Sequence, residues 1–274
     1  MPATNQSIVL PSRQTFSIVI PCHNRAWCIE RAISSAVKFL KNQNGSEIFV
    51  VDDGSNDETS NVVMSTFEKL RESNVGTKLI LIKHDRNLGV CAAKNTGSRA
   101  ATGDWLIFLD SDDELIEESF ADMQSSLNSS AAFPLHFFRC VNGNSKVDSI
   151  SLKTEKRSFS SYLKSGTDGE TLPVIKKSIF DQYPYDEDIP GYESLSYMRI
   201  ASAYEYICIH DVIVRRYHIA HSDRLSAVKN FKARSGKLAE GHLRAISEHR
   251  SRMSFVVFAK FVLKFLKMKI ISIQ

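Results

Sequence analysis

The chain has 274 residues, 43% of them apolar, so it can bury the core of one large domain or of one domain with an appendage. Its five cysteines are odd in number and contain no C-x-x-C pair, which argues against a disulfide framework and a cysteine zinc site. Residues 227–274 carry eleven Lys or Arg against two acids, a net of +9, so the rest of this +4 chain sums to −5. Because the body is mildly acidic, nucleic acid is not an expected partner.

Residues 1–15 form a polar N-terminal extension without the charged start and long apolar run of a secretory signal, so we expect a cytoplasmic protein. Beyond them, short apolar strands alternate with segments of helical periodicity. The predicted strands are Phe16–Ile20, Ile48–Val51, Leu79–Ile82 and the apolar run before Asp110, and the predicted helices are Ala26–Leu40, Glu58–Leu70 and Val90–Ala101. This alternation predicts an α/β fold with a parallel sheet and helices on both faces.

Acidic residues follow the last of these strands, in the run D-W-L-I-F-L-D-S-D-D-E from Asp104 to Glu114. Ligands of open parallel sheets bind outside the carboxyl ends of the strands, so Asp110, Asp112 and Asp113 are expected to face a site. Carboxylates so placed suit a hard cation, Mg²⁺ or Mn²⁺, that holds the phosphates of a substrate.

The second half of the chain shows weaker patterns. It predicts a strand over Ala132–Val141, a turn at Asn142–Asn144, a short helix over Phe159–Lys164, a loop over Tyr183–Gly191, a helix over Leu195–Ala203 and an extended segment over Tyr206–Tyr217.

Four loop motifs stand in order between Phe16 and Glu114: I-V-I-P-C-H-N-R, V-V-D-D-G-S-N-D, R-N-L-G-V-C-A-A-K-N-T-G and L-D-S-D-D. Together they resemble the family 2 glycosyltransferases, inverting enzymes of the Rossmann-like GT-A fold that use nucleotide sugars. Downstream, G-Y-E-S-L-S-Y-M-R resembles the acceptor-side acidic motif of that family, and R-Y-H resembles its late R-x-H motif. The resemblance implies a mostly parallel central sheet flanked by helices. It also implies a GT-A domain over 16–226, with a nucleotide-sugar-binding half at 16–114 and an acceptor-side half at 115–226, before a basic helical tail at 227–274.

The resemblance assigns roles at the donor end of the site. Asp53 is similar to the family acid that accepts a hydrogen bond from the nucleotide base, and Lys94 lies where it could approach the diphosphate. The residues that would shape the same pocket are Pro21, His23, Asn24 and Arg25. The alternatives are a turn that caps a helix at Asp53 and an ordinary solvated lysine at Lys94.

For the cation, the resemblance implies Asp112 as the first ligand. Asp110 would bind the ribose or share the metal, and His218 would complete the metal shell or touch the pyrophosphate, with His221 and Arg224 as nearby competitors. The alternative for Asp112 is an N-cap of the helix that follows, and Asp113 is a further candidate for either role.

An inverting transfer also needs a base that takes the proton of the acceptor hydroxyl. The family usually supplies an Asp from an E-D pair six residues before an Arg, whereas here Glu193 stands six residues before Arg199 and a Tyr precedes it. Glu193 is the predicted base, with Glu187 or Asp188 as alternatives.

The segment Phe255–Ile273 is apolar but interrupted by Lys260, Lys264, Lys267 and Lys269, which argues against a spanning helix. The first three lysines fall on one stripe, a pattern that favours an amphipathic helix on an anionic membrane surface. The alternative is a terminal helix packed on the enzyme or on another copy.

The leading hypothesis is a hexosyl- or N-acetylhexosaminyltransferase, peripheral on the inner face of the cell membrane. It would move a sugar, with a UDP-sugar favoured, to a saccharide or lipid-linked saccharide in cell-surface polysaccharide or glycolipid synthesis. One alternative is a phosphatase of the haloacid dehalogenase type, whose nucleophile motif lies near the chain start. Another is a degenerate GT-A domain that binds nucleotide sugar or membrane without transfer.

Overall fold

The computed structural model describes residues 14–71, 76–143, 153–218 and 228–273, so residues 1–13 of the N-terminal extension, Asn144, His221 and Arg224 lie outside it. The strands are β1 Phe16–Cys22, β2 Glu47–Asp52, β3 Lys78–Lys83, β4 Trp105–Phe108, β5 Glu114–Leu115, β6 Leu135–Asn142, β7 Thr154–Ser158, β8 Thr171–Lys176 and β9 Tyr206–Tyr217. The α-helices are α1 Ile29–Phe39, α2 Thr59–Arg71, α3 Val90–Ala100, α4 Phe120–Ser129, α5 Phe159–Ser165, α6 Lys177–Phe180, α7 Ser194–Tyr204, α8 Val228–His249 and α9 Phe255–Ile273.

One mixed sheet organises the molecule, in the order β3-β2-β1-β4-β8-β6-β9-β5, with β7 paired to β9. Strands β1 to β4 pair in parallel, whereas β8 runs antiparallel to both β4 and β6. The predicted α/β fold is therefore confirmed, and residues 16–114 supply its four consecutive parallel strands, β1 to β4. The order 3-2-1-4 places a crevice between the carboxyl ends of β1 and β4, where such sheets bind ligands.

The core lies on both faces of this sheet because successive side chains of a strand point to opposite sides. In β1, Ile18 and Ile20 belong to the cluster under α1, α2 and α4, while Val19 belongs to the cluster under α3 and α7. Gly97 brings α3 close to β1, because a Cβ there would lie 2.4 Å from a Val19 methyl carbon. This close packing fixes the position of α3 relative to β1, and with it the position of the α3 side chains near the strand ends.

Several elements were not predicted, for identifiable reasons. Strand β7 is polar in composition and pairs only along β9. Strand β8 contains Pro173, which pairs with Phe137 of β6. A proline within an apolar run argues against a strand in the sequence. Helix α1 begins at Ile29 and not at Ala26, because the Arg25 carbonyl first accepts from the Cys28 and Ile29 amides in a turn.

Helices α8 and α9 pack on the body, as the alternative for the tail anticipated. The Arg199 guanidinium binds Glu248 of α8 at 2.7 Å, and the Tyr192 hydroxyl lies 2.6 Å from Nδ1 of His242. In α9, Val257 and Phe261 are buried in the same core cluster. Among the described residues, no helix combines the length and apolar character that crossing a bilayer requires.

Candidate active site

A cavity of about 710 Å³ opens at the carboxyl ends of β1 and β4. Its lining includes every residue predicted for the site: Pro21, His23, Asn24, Arg25, Asp53, Lys94, Asp110, Asp112, Glu193 and His218. These residues come from segments up to 197 positions apart in sequence. The residues that follow β1, β2 and β4 meet because these parallel strands end at the same edge, whereas Lys94, Glu193 and His218 come from α3, the start of α7 and the end of β9.

Hydrogen bonds join the loops that follow β1 and β2 into one wall of this cavity. His23 donates from Nδ1 to the Asp53 carbonyl at 2.9 Å, and the Asn24 amide donates to the Ser55 hydroxyl at 2.9 Å. Asn24 itself has a φ of 53°, a left-handed conformation that Asn tolerates better than most residues. Arg25 donates its backbone N–H to the Thr59 hydroxyl at 2.7 Å. Hydrogen bonds within the protein therefore hold this loop in its conformation.

The Asp53 carboxylate is largely occupied by the protein. It accepts from the amides of Leu88 and Gly89 at 2.9 and 2.8 Å, and from Nδ1 of His84 at 2.7 Å. Gly54 follows with a φ of 70°, and a Cβ there would lie 2.5 Å from the Arg86 backbone. A carboxylate has about four lone-pair positions, so a nucleotide base would share an oxygen that already accepts a bond or take the remaining position. Asp53 thus positions the 84–89 loop, a part that the sequence did not reveal.

Lys94 projects from α3 into the floor of the cavity with its side chain only 10% exposed, which differs from the solvated alternative. Its Nζ lies 3.3 Å from Asp110 and 3.4 Å from Glu193. Burial alone lowers the pKa of this ammonium, but the two carboxylates outweigh burial and the net shift is upward. Lys94 is therefore a permanent positive charge between Asp110, which follows β4, and Glu193, the predicted base.

Arg215 of β9 is a second buried cation, and sequence analysis missed it. Its Nη1 lies 3.4 Å from Asp113 and 3.6 Å from Asp110, and its Nη2 lies 3.3 Å from Glu170. The alternation of β9 carried a signal, because Val212 and Val214 are buried in the core and the intervening positions face the other side. The R-Y-H motif contains only the neighbouring Arg216.

The pKa values of Asp110 and Asp113, two acids of the L-D-S-D-D run, are shifted in opposite directions. For Asp110, burial raises the pKa, but Lys94 and Arg215 overcome it and hold the pKa below its ordinary range. For Asp113, burial raises the pKa to about 7, with Asp110 and Asp112 acting in the same direction and Arg215 opposing them. Asp113 also accepts from the His218 amide at 3.3 Å, so it holds the loop that follows β9.

Loss of Arg215 is expected to destabilise the fold. Replacing it with Met leaves Asp110 and Asp113 with less compensating charge, and removal of one partner from a buried ion pair typically costs about 3 kcal/mol or more. Urea unfolding should show a lower midpoint with an unchanged slope. The adjacent Arg216→Met variant is the matched control and should lose less, since Arg216 is only partly buried and Arg215 is the arginine that acts on the pKa values of Asp110 and Asp113. Equal losses in the two variants would contradict this account of Arg215.

Asp112 differs from its neighbours because no hydrogen bond or ion pair engages its carboxylate within the described part of the chain. Only its backbone carbonyl is bound, by Arg31 at 2.6 Å. A carboxylate that lines a cavity without a protein partner fits the family's metal ligand, since Mg²⁺ and Mn²⁺ need few protein oxygens when phosphates supply others. Asp110 and His218 are both engaged by the protein. Asp110 pairs with Lys94 and Arg215, and Nε2 of His218 lies 2.7 Å from Glu114. In this arrangement Asp112 fits the cation best.

The buried group of His136, Cys208 and His210 has three potential ligand atoms within 4.8 Å of one another. Each imidazole is already satisfied. Thr154 donates to Nδ1 of His210 at 2.8 Å, Nε2 of His210 donates to Nδ1 of His136 at 2.9 Å, and Nε2 of His136 donates to the Phe133 carbonyl at 2.9 Å. Burial lowers the pKa of His136 to about 3 and that of His210 to about 4, so both rings are neutral. This group is a hydrogen-bonded part of the core.

Glu193 precedes α7 and lines the cavity. The alternative bases are engaged elsewhere and do not line this cavity: Glu187 accepts from Asn95 at 3.0 Å, and Asp188 accepts from Arg244 at 3.1 Å. Of the three predicted candidates for the base, Glu193 alone faces the residues of the donor end.

A second cavity, of about 470 Å³, adjoins the first and has a different character. The two cavities share five charged residues, Lys94, Asp110, Glu170, Glu193 and Arg215. Beyond them the second cavity has an apolar wall of Phe108, Phe137, Tyr162, Pro173 and Tyr197. Both volumes lie within the range of small-molecule sites, about 300–1,000 Å³. Glu193 therefore borders two binding spaces.

Polar groups line the rim of this second cavity. The loop 166–169 runs along it in a tight conformation, with Asp168 at a φ of 56°. Arg139 holds this loop by donating to the Thr167 and Asp168 carbonyls at 2.7 and 3.0 Å. The Tyr162 hydroxyl has no hydrogen-bond partner among the residues that the structure describes. Burial raises its pKa, so it stays protonated and can donate a hydrogen bond.

The sequence model of "Glycosyl transferase family 2" matches residues 17–184, more than half of the chain. The chain belongs to this family. The enzyme is therefore a glycosyltransferase, and the phosphatase alternative is not supported.

Curated relatives agree with this membership. The chain is 29% identical over 247 residues to the GalNAc(5)-diNAcBac-PP-undecaprenol beta-1,3-glucosyltransferase of Campylobacter jejuni, covering 87% of this chain and 75% of the relative. It is 37% identical over 102 residues to a PGL/p-HBAD biosynthesis glycosyltransferase of Mycobacterium bovis, covering 37% of each.

Solved structures share the fold of this glycosyltransferase. The S. aureus TarS 1–349 structure in complex with UDP-GlcNAc has a TM-score of 0.68 at 18% identity, covering 92% of this chain and 73% of that one. The mannosyltransferase PcManGT from Pyrobaculum calidifontis, in complex with GDP-Man and Mn²⁺, has a TM-score of 0.63 at 19% identity, covering 86% and 65%. The predicted GT-A fold is confirmed by these likenesses.

The C-terminal region contributes a residue to the lining of the first cavity, which the sequence did not indicate. Arg234 of α8 lines the first cavity and donates to the Pro190 carbonyl at 3.1 Å. Gly191 makes this approach possible, because a Cβ there would overlap the Arg234 guanidinium. Helix α8 thereby fixes the loop that carries Glu193.

Proposed function

We propose that this glycosyltransferase moves a sugar from a nucleotide-diphosphate sugar to a saccharide or lipid-linked saccharide, with inversion at the anomeric carbon. The observation that carries the proposal is the position of Glu193 at the junction of two cavities. The first cavity gathers the acids and cations suited to a nucleotide diphosphate, and the second offers an aromatic space beside the same carboxylate.

The donor would occupy the first cavity. The β1 loop at His23 and Asn24 would border the nucleoside, and Lys94 would approach the diphosphate oxygens from the cavity floor. Structural neighbours with UDP-GlcNAc and with GDP-Man support a nucleotide-sugar donor, and we favour a UDP-sugar.

A divalent cation, Mn²⁺ or Mg²⁺, would be held chiefly by Asp112, with Asp110 and His218 as further candidates. When bound, it would neutralise the charge that develops on the departing diphosphate. The cations that the chain itself supplies, Lys94 and Arg215, add fixed positive charge at the same end of the cavity.

The acceptor would enter the second cavity, where the aromatic wall can pack against the apolar face of a sugar ring and Tyr162 can donate a hydrogen bond. Its hydroxyl would then attack the anomeric carbon, and Glu193 would take the proton that the hydroxyl releases. The C. jejuni relative, named for a saccharide on an undecaprenol pyrophosphate, supports a lipid-linked acceptor and a role in cell-surface glycolipid or polysaccharide synthesis.

The test of the proposal is a transfer assay that combines UDP-, GDP- and TDP-sugars with Mn²⁺ and undecaprenyl-pyrophosphate-linked N-acetylgalactosamine, glucose or N-acetylglucosamine. Transfer with at least one pair, giving a product of inverted configuration, is the expected result. Donor binding without transfer or hydrolysis for any pair would favour a binding scaffold and contradict the proposal.

Filling the second cavity should impair use of the acceptor and leave binding of the donor unchanged. Thr167→Trp adds bulk at the rim and is expected to lower the acceptor-dependent transfer rate by about 100-fold or more, since small misplacements at a reacting centre have costs of this size. Donor hydrolysis and donor affinity should change by less than about 2-fold. The control Ser165→Trp changes an exposed residue two positions away that lines neither cavity, and it should transfer normally. Normal transfer by Thr167→Trp would exclude the second cavity as the acceptor site.

A further inference from the structure

The outward face of α9 is apolar and uncovered in the described structure. Its inward face packs on the body through Val257, Phe261 and Met268, which are buried. The outward residues are Phe255, Val256, Leu263, Leu266, Ile270 and Ile273, and we call this set the α9 outer face. Phe255 is 79% exposed, Leu263 67% and Ile273 78%, so burial among the described residues does not explain their apolar character.

The helix periodicity makes this face one continuous surface. At 100° per residue the outer-face residues fall within an arc of roughly 100°, and the 19-residue helix is about 28 Å long. A stripe of this size is larger than the scattered exposed apolar residues of ordinary surfaces and marks an interaction site.

Lysines flank the α9 outer face. Lys260 and Lys267 follow one edge of the arc and Lys269 lies on the other, while α9 contains no acidic residue. An apolar stripe between cations is complementary to an anionic bilayer, in which headgroups pair with lysines and acyl chains receive the apolar residues. A second copy of this chain would bring the same lysines together on both partners, which is less favourable.

Helix α9 also lies near the second cavity. Lys260 donates to the Lys164 carbonyl at 2.7 Å, at the end of α5, and the loop after α5 lines that cavity. A membrane on the α9 outer face would therefore be close to the cavity assigned to the acceptor.

We propose that the α9 outer face docks this enzyme on an anionic membrane, such as the inner leaflet of the cell membrane. The apolar stripe supplies the insertion energy and the flanking lysines supply selectivity for anionic headgroups. This docking does not depend on the identity of the donor or on the transfer step.

The test is co-sedimentation of the full chain with vesicles of phosphatidylcholine alone or with 30% phosphatidylglycerol. Wild type should bind the anionic vesicles and release them as salt rises. The variant Leu263→Gln/Ile270→Gln should lower the partition coefficient by about 100-fold or more, since each buried side chain of this size contributes strongly. Lys267→Gln/Lys269→Gln should lower it by about 25-fold on anionic vesicles only, about 5-fold for each lysine.

Leu243→Gln is the matched control, because Leu243 is 50% exposed but lies on α8. It should bind vesicles as wild type does. Wild type that fails to bind anionic vesicles, or Leu263→Gln/Ile270→Gln that binds equally well, would overturn the proposal. A wild-type dimer in light scattering that Leu263→Gln/Ile270→Gln converts to a monomer would assign the face to a second copy instead. Donor hydrolysis in solution should be unchanged in all these variants, so a failure of docking is distinguishable from a failure of the proposed chemistry.

Discussion

Replacement of Asp112 by Ala is expected to lower kcat/KM by about 10³-fold or more while leaving the fold intact. A cation held by this carboxylate would contribute several kcal/mol of charge stabilisation when the diphosphate departs, which corresponds to a loss of this order. The fold should survive because the Asp112 carboxylate has no partner within the described residues, so its removal leaves no group unpaired. The Arg31 bond to its backbone carbonyl is retained.

The measurement is the Mn²⁺ dependence of the transfer rate, with thermal unfolding as the check on folding. Asp122→Ala is the matched control, because Asp122 lies on α4 and lines neither cavity. An Asp112→Ala enzyme with wild-type turnover and wild-type Mn²⁺ dependence would show that the cation is bound elsewhere, with Asp110 as the next candidate.

Glu193→Gln is expected to lower kcat by about 10²- to 10⁴-fold, the usual range for loss of a general base. The amide keeps the size of the side chain and can still accept a hydrogen bond from Lys94, which is 3.4 Å from Oε1 in the wild type. Donor affinity should therefore change by less than about 3-fold, and the effect should appear in kcat.

The alternative bases provide the controls. Glu187→Gln and Asp188→Asn remove charge from the same loop, but their carboxylates bind Asn95 and Arg244 outside the first cavity. They should retain kcat and lose some stability. If Glu187→Gln or Asp188→Asn lost activity while Glu193→Gln kept it, the base would have to be reassigned.

The nucleotide half of the site could be predicted from the sequence because its geometry follows from local pattern. A short apolar run such as Ile48–Val51 is a buried strand wherever it lies in the sheet, and parallel strands end at one edge. Polar residues after each strand, such as His23 and Asp112, therefore meet at that edge whatever the strand order is.

The rest of the site depends on contacts between distant segments that carry no local pattern. Arg215 lies beside Asp110 and Asp113 because β9 pairs in parallel with β6. This register joins distant parts of the chain, so no short stretch of sequence indicates it. Arg234 reaches the first cavity because α8 packs on the loop that carries Glu193, whereas its sequence neighbours suggested only a basic tail. Asp53 was predicted as a ligand residue, and its three bonds to the 84–89 loop became visible only when β2 and β3 were placed side by side.

The most direct test of the nucleotide-sugar site is a thermal-shift screen of nucleotide diphosphates and their sugars, with and without Mn²⁺. Ligands that bind the native state raise its apparent stability, by about 2.7 kcal/mol at a concentration of 100 Kd. The expected result is stabilisation by at least one nucleotide-diphosphate sugar that is larger with Mn²⁺, and a loss of the Mn²⁺ increment in Asp112→Ala. Equal unfolding temperatures for the wild type with every nucleotide and every sugar, with and without Mn²⁺, would contradict the assignment of the first cavity.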